Sequence, residues 1–337
     1  MKMKHGKTDI LNPEELLQQL QTLTSAKRFW VGYSGGLDSH VLLALTADAF
    51  KNQADFQVGA IHIHHGLSQN ADTWLDHCEA TCTALQVPLM VFWVNAEVTE
   101  GESQEEVARE ARFKAFTDFI KADECLLLAH HAEDQAETIL MRLFRGAGPT
   151  GLSGMMDKMQ MGHCEIIRPL LSISKEQIED YAKANHLQWI HDESNHNARF
   201  DRNFLRHEIL PRLKARWPRV VRSVNRSGSL CLETATATQV MAAADCQAVL
   251  GLGKTPQTLS VKALLKLEPV RRRGVIRYWL QMQQLTLPSR DHLERIYREV
   301  LQAKPGSKPK LKIAHYRIKR VKDELMVEQI LKAIPPL

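Results

Sequence analysis

Phe29-Trp30-Val31-Gly32-Tyr33, followed at once by Ser34-Gly35-Gly36-Leu37-Asp38-Ser39 and an amphipathic stretch to Phe50, decides the fold. The order is a short apolar strand, a tight turn and a helix, the arrangement at which an open α/β sheet binds ligands. Gly35 and Gly36 let the backbone turn sharply and come close to a ligand. Amide N–H groups there, with the hydroxyls of Ser34 and Ser39, suit an anion at the positive end of the helix. Asp38 is the unexpected member, because a carboxylate repels phosphate unless a cation lies between them. It implies Mg²⁺ bridging to a pyrophosphate, or a role beside the reacting centre. An ordinary strand–helix turn capped by Asp uses the same residues, and the stretch alone leaves both readings open.

The alternation continues outward. Residues 56–63, 88–94 and 125–129 are further apolar runs; helical stretches cover 72–85, 104–121 (with Ser103 as N-cap) and 133–144. Strands alternating with helices imply βαβ units, right-handed crossovers and a parallel sheet. Continuous apolar runs fit a sheet covered on both faces. The expected fold class is therefore α/β, with a doubly wound, mostly parallel sheet.

Beyond Arg145 the pattern changes. Gly146, Gly148, Pro149, Gly151 and Gly154 make a flexible loop, 166–171 looks extended, and Ser174 with Gln177 forms a capping box for a helix to Asn185. Residues 199–216 and 220–250 look helical, the latter polar enough for a connector. Turn-rich 251–256 precedes helices near 261–265, 269–282 and 291–301, then strand-like pieces near 310–315 and 324–328. The expected domains are 1–217, a helical connector 218–250, and a small α+β domain 251–337.

Composition narrows the class. Of 337 residues, 44% are hydrophobic and 25% charged, which excludes a disordered or collagen-like chain. No apolar run approaches a membrane span, and the basic start is followed by polar Thr8, Asp9 and Asn12 instead of an apolar signal core. Six irregularly spaced cysteines without such a signal fit reduced thiols in the cytoplasm. The net charge of +5 is mild but unevenly placed. Residues 199–226 hold nine Arg or Lys against Asp201 and Glu208, 304–322 hold eight and no acid, and Arg271, Arg272, Arg273 and Arg277 cluster. One such run is usually a solvated face; three in the second half of the chain point to a phosphate-rich partner.

Other signals carry less. Gly146-Ala147-Gly148-Pro149-Thr150-Gly151 has the spacing of a dinucleotide fingerprint, but a helix precedes it and Pro149 interrupts it. Gly253-Lys254-Thr255 resembles the end of a phosphate loop, yet Ala248 stands where its first glycine belongs. His62, His64 and His65 lack the carboxylate or Cys needed to complete a metal set, and packing or ligand contact suits them better. Cys78 and Cys82, at i, i+4, fit a helix core.

Ser34–Ser39 resembles the SGGxDS signature of PP-loop ATP pyrophosphatases, which cleave ATP between the α and β phosphates and adenylate a carbonyl oxygen. Further segments resemble the tRNA(Ile)-lysidine synthase family within that group. They are His62-Ile-His-His-Gly-Leu67, Ala108-Arg-Glu-Ala-Arg-Phe113, Ala129-His-His-Ala-Glu-Asp-Gln-Ala-Glu-Thr138, Arg145–Gly151, Arg168-Pro-Leu-Leu171, Asp192-Glu-Ser-Asn195 and Arg202-Asn-Phe-Leu-Arg206. The likeness covers about residues 28–213; 310–328 resembles the family's smaller C-terminal module more weakly. Longer members carry a further C-terminal domain, and this sequence ends at Leu337.

The resemblance implies that ATP adenylates the wobble cytidine of a CAU isoleucine anticodon and that free L-lysine then displaces AMP. It implies ATP contacts from Ser34, Gly35, Gly36, Leu37, Asp38 and Ser39, with Asp38 on Mg²⁺; by analogy with doubly wound folds, the adenine contact is expected at the end of the next strand, Ile61-His62-Ile63. Asp134 and Glu137, at i, i+3 near a helix start, are the acceptors expected for the lysine ammonium. First-turn acids also simply favour the helix dipole. Glu133 stands where the family usually has Asp. His130 and Asp38 are both candidates for the general base. Arg112 and Arg206 are the arginines expected at the active centre, although they, Arg109, Arg145 and Arg202 could equally contact RNA phosphates. The basic C-terminal half would position the tRNA, and the single-stranded anticodon loop would be read on its base edges. The resemblance leaves room for a homodimer, and no self-pairing heptad is visible. Two rivals are a PP-loop ligase acting on another carbonyl substrate and a non-catalytic tRNA-binding protein. The intact Asp38, Asp134 and Glu137 speak against the second.

Overall fold

The computed structural model describes residues 11–64, 66, 70–94, 104–190, 200–250, 257–304 and 306–330. Ser103, His65, Leu67, the Asp192–Asn195 motif, Arg199 and the 251–256 turn lie outside them. The chain divides into two compact units, Met1–Leu230 and Cys231–Leu337.

In the first unit the order is α1 (Pro13–Leu23), β1 (Arg28–Gly32), α2 (Leu37–Phe50), β2 (Gln57–His64), α3 (Ala71–Ala84), β3 (Leu89–Trp93), α4 (Gln104–Phe119), β4 (Glu124–Leu127) and α5 (Ala132–Phe144). There follow α6 (Pro149–Leu152), β5 (Lys158–Met161), β6 (Cys164–Ile167), α7 (Lys175–Ala184), α8 (Asp201–Phe204), α9 (Leu210–Arg216) and α10 (Val220–Val249), within which the boundary falls. The stretch read as a flexible loop thus contains the helical turn α6, started by Pro149 at its first position. Helix α1 has a plain signal of its own: Asn12 caps it by accepting from the N–H of Glu14 at 2.9 Å, and Pro13 opens it.

The sheet order is β3-β2-β1-β4-β6-β5, parallel except for β5 against β6. From β1 the chain builds outward through β2 and β3, then returns to place β4 on the other side of β1. The loops leaving β1 and β4 therefore meet at the carboxyl edge where the winding reverses, which is where such sheets bind ligands.

Side chains of β1 alternate between two cores, as the strand period of two requires. Phe29, Val31 and Tyr33 pack with Leu42, Leu43 and Leu45 of α2, Cys78 and Cys82 of α3, and Ile178 of α7. Trp30 faces the other way, with Ile61, Phe116, Ile120, Leu126 and Ile166. Its indole N–H donates to Glu124 Oε2 at 3.0 Å, and Arg28 Nη1 pairs with Glu124 Oε1 at 3.0 Å, so the buried carboxylate has both oxygens satisfied.

The second unit holds β7 (Leu259–Ser260), α11 (Val261–Lys266), α12 (Pro269–Met282), α13 (Arg290–Arg295), β8 (Lys310–Ile313), β9 (Tyr316–Val321) and β10 (Glu324–Gln329). An antiparallel sheet of order β7-β10-β9-β8 packs Leu311, Ile313, Tyr316, Ile318 and Leu325 against Val275, Trp279 and Ile296. On the sheet's other face the register sets Lys310 opposite Lys319 and Lys312 opposite Arg317. Like charges placed directly across strands are unfavourable on their own account. No described helix is long and apolar enough to cross a membrane.

Gly59 stands opposite Trp30 in the β1–β2 register, and a Cβ there would lie 2.3 Å from Trp30 Cζ3. Gly59→Ala must push the indole off its place against Glu124. We expect a loss of about 1–3 kcal/mol by urea denaturation; an unchanged midpoint and slope would show that Trp30 is not confined there.

Candidate active site

The phosphate-type loop is tightly made. Gly35 takes φ +81°, and a Cβ on it would meet Ile190 Cδ1 at 2.8 Å and Cys78 Sγ at 3.2 Å, so only glycine fits. Ser39 Oγ accepts from the Ser34 N–H at 3.2 Å and donates to the Gly36 carbonyl at 3.0 Å, and the Ser34 and Ser39 hydroxyls lie 3.1 Å apart. Gly36 is the N-cap of α2 and offers no side chain to its first N–H groups. His62 lies beneath the loop, only 5% exposed, with Nδ1 3.0 Å from the Tyr33 carbonyl and 3.5 Å from Cys78 Sγ. Burial lowers its pKa.

Beside this loop, the turn after β4 carries His130 and His131, and α5 begins. His131 is the N-cap: Nδ1 accepts from the Glu133 N–H at 3.2 Å, while Asp134 Oδ2 accepts from the His131 N–H at 3.0 Å. The ring is 3% exposed and bracketed by carboxylates, with Glu133 Oε2 3.2 Å from Nδ1, and Asp134 Oδ2 3.4 Å and Asp38 Oδ2 3.8 Å from Nε2. Burial opposes charge on it, but the Glu133 hydrogen bond and the charges of Asp134 and Asp38 prevail, and its pKa rises above 6.5. On protonation Nδ1 can no longer accept from the backbone and donates to Glu133 instead.

His130 shares the burial and the neighbouring Asp134 but shifts the other way. Among the described residues its Nδ1 is buried without a hydrogen-bond partner. Burial takes its pKa down to about 3; Asp134 pulls it up, and Arg168, Arg202 and Arg112 push it further down. A ring so hard to protonate is neutral and weakly basic. His131, which the sequence reading passed over, is the imidazole that reaches Asp38.

Asp134 and Glu137 do share one face of α5, 8% and 0% exposed, and two guanidinium groups clamp them. Arg202 donates from Nε to Glu137 Oε2 at 2.8 Å and from Nη2 to Asp134 Oδ1 at 2.9 Å. Arg206 donates from Nε to Glu137 Oε1 at 2.7 Å and from Nη2 to Asp134 Oδ1 at 2.7 Å. Although burial resists ionisation, His131, Arg202 and Arg206 hold the Asp134 carboxyl well below the usual range. Arg206 lies in a π-turn, Leu205–Ile209, between α8 and α9. Pro211 follows, with no N–H and a ring that crowds the carbonyl four residues back, and Leu210 N–H instead bonds Leu205 O, five back.

Two lysines complete the cluster. Lys175, the first residue of α7, donates from its backbone N–H to Glu133 Oε2 at 2.9 Å and from Nζ to Asp38 Oδ1 at 2.6 Å. Lys214 Nζ donates to Glu133 Oε1 at 2.8 Å. Burial raises the Glu133 pKa, but His131, Lys214 and the Lys175 N–H outweigh it and bring it to about 2. Between these groups lies a cavity of about 230 Å³, lined by His131, Glu133, Glu137, Lys175, Arg206 and Lys214 among others.

The structure thus brings Asp38, Asp134, Glu137 and Arg206 into one site. Arg112 stacks on Phe113, its guanidinium 5.7 Å from the ring centroid, and acts on His130 through its charge. Arg145 is exposed at the end of α5. Lys175 had a local signal, since a lysine opening a helix opposes the dipole; His131 and Lys214 had none.

Residues 11–213 match the PP-loop domain family and residues 259–326 the TilS substrate binding domain family. The U34-tRNA thiolase NcsA of Methanococcus maripaludis shares the fold, with a TM-score of 0.55 over 66% of this chain and 78% of that one at 16% identity. Fold and loop define a PP-loop protein, a class that uses ATP. The tRNA(Ile)-lysidine synthase of Coxiella burnetii is 38% identical over 96% of this chain and 71% of its own length. That of Serratia proteamaculans is 40% identical over 94% and 72%. The chain belongs to the tRNA(Ile)-lysidine synthase family.

Because the Glu133 pKa is depressed from 4.5 to about 2, its stabilising contribution is complete above pH 4.5 and is lost as pH falls through 2. Glu133→Gln should therefore flatten the acid limb of a stability–pH curve between these values. An acid limb identical to that of the parent protein would contradict the network drawn around Glu133.

Proposed function

We propose that the protein joins free L-lysine to C2 of the wobble cytidine in the CAU anticodon of isoleucine tRNA, consuming ATP and releasing AMP and pyrophosphate. The observation that carries this reading is the meeting of Asp38 with the acid–base cluster of α5 at the switch point, in a chain of this family. The setting of ATP, free lysine and tRNA is the cytoplasm.

Ser34, Gly35, Gly36, Leu37 and Ser39 offer the triphosphate a glycine turn, two hydroxyls and the positive end of α2. Mg²⁺ commonly takes one or two carboxylates and completes its shell with substrate phosphates and water. Asp38, a third exposed at the mouth of the loop, fits that role. The ion, when bound, neutralises phosphate charge. Arg206 lines the cavity and suits the charge that develops as pyrophosphate departs, and Arg112 adds its charge from beside His130.

For lysine, the ε-amine must approach the adenylated C2, and the carboxylates of α5 draw an ammonium toward it. Glu137 lines the cavity beside Arg206, whose side chain is a third exposed and can yield its place on that carboxylate. Asp134, held by the His131 N–H and both arginines, fixes the geometry. Attack requires a neutral amine, so a base must take a proton. Asp38 and His131 are within reach of each other for that relay, while the depressed pKa of His130 suits it to a neutral role in holding the base. In the 251–337 domain, the Lys310, Lys312, Arg317 and Lys319 face, where Glu328 lies 3.5 Å from both Arg317 and Lys319, keeps a positive excess that suits RNA phosphates.

Incubation with Mg²⁺, ATP and radiolabelled lysine tests the reading. Label should enter an isoleucine tRNA bearing CAU and not a methionine tRNA with the same anticodon, and Asp38→Ala should abolish it. Equal labelling of both tRNAs would contradict the isoleucine tRNA specificity, and no label with intact ATP–pyrophosphate exchange would point to another carbonyl substrate.

A further inference from the structure

Lys175 occupies a position that helix stability does not explain. It opens α7, where the dipole favours an acid and disfavours a cation. The packing of α7 is secured elsewhere: Ile178 and Ala182 are fully buried in the core that contains the apolar residues of α2, and the Ser174–Gln177 capping box closes its first turn. The backbone N–H of Lys175 is already held by Glu133. Its ammonium, with a side chain 34% exposed, is aimed across the cleft at Asp38, itself 32% exposed, and an ion pair so open to water contributes little to folding. What the contact does achieve is to hold a mobile cation 2.6 Å from the carboxylate of the nucleotide loop. The same ammonium lines the 230 Å³ cavity, so it has space to swing.

We propose that Lys175 is a catalytic residue of the adenylation step, its ammonium moving from Asp38 to the β- and γ-phosphates of ATP and remaining on pyrophosphate as it departs. The inference rests on the ATP-dependent reading of this site. In that step the cytosine carbonyl oxygen forms a bond to the α-phosphorus. The bond from that phosphorus to the oxygen bridging to the β-phosphate breaks, and its electron pair leaves on pyrophosphate. Lys175 keeps its proton and donates hydrogen bonds to the anion. Its release from Asp38 frees that carboxylate for the cation that accompanies ATP, so a single side-chain movement couples nucleotide entry to the charge of the loop. A lysine suits the task better than an arginine fork, because a compact point charge on a flexible stem can follow a leaving group.

The test compares the full chain with Lys175→Met, Lys175→Gln and Lys175→Arg. Gln keeps a hydrogen-bond donor near Asp38 without the charge, which guards against a variant that simply misfolds. Inorganic pyrophosphate with Mg²⁺ is titrated calorimetrically, and ATP–pyrophosphate exchange is followed with isoleucine tRNA present. Met and Gln should weaken pyrophosphate binding roughly tenfold and slow exchange roughly 100-fold, with Arg recovering part of both and the KM for lysine unmoved in all three. Folded Met or Gln variants that bind pyrophosphate as the parent does, or a shift in lysine KM in place of the pyrophosphate effect, would overturn the role. Absence of exchange in the parent protein would instead overturn the ATP-dependent reading, and the proposal with it.

Discussion

Two carboxylates buried side by side on the first turns of α5, Asp134 and Glu137, set the terms for everything around them. Left alone in the interior they would repel each other and lose their hydration, at a cost no helix dipole offsets. The chain answers with two arginines four residues apart, each forking across both acids, and with an imidazole whose backbone N–H closes the cap. Both arginines must reach the same face, and they do so across the α8–π-turn–α9 segment, whose register opens at Pro211. Removing either acid would strip each arginine of one of its two carboxylate partners, and removing an arginine would leave both buried acids on a single guanidinium, so the cluster holds α5 and the 201–216 segment together.

The topology turns that cluster from a structural clamp into part of a site. Because β1 and β4 are neighbours while the chain between them runs out to β3 and back, the Gly35–Gly36 turn and the His130–His131 turn lie side by side. His131 and Lys175 carry the connection from the α5 acids to Asp38. Acids and bases alternate through this network, and the side chains at its edge, Lys175, Arg206 and Lys214, can exchange partners with charged substrates.

Local order was legible in the sequence, and long-range pairing was not. The strand–turn–helix around Ser34–Ser39, the parallel alternation and the Ser174–Gln177 capping box all depend on neighbours within a few residues, and the structure has them. Asp134 and Glu137 were visible from their spacing, but their arginine partners stand 65 to 72 residues later and Lys175 lies 137 residues from Asp38. Nothing local announces such contacts. Strand β9 was hidden for another reason: Tyr316 and Ile318 alternate with Arg317 and Lys319 in the pattern of a half-buried strand, yet the basic residues drew the reading toward a charge run. Between His130 and His131 the sequence offered no basis for choice. The neighbouring charges decide it, because burial lowers the pKa of both rings, but His131 faces three carboxylates while Arg168, Arg202 and Arg112 outnumber Asp134 around His130.

The central claim is that this site transfers the adenylyl group of ATP to the tRNA before lysine arrives. It is tested most directly by supplying Mg²⁺, isoleucine tRNA bearing CAU and ATP labelled at the α-phosphate, with lysine withheld. The account predicts label on the tRNA, discharged as AMP when lysine is added, and no transfer of label from the γ-phosphate. Cleavage of ATP to ADP, or lysine addition with no α-label ever reaching the tRNA, would contradict it.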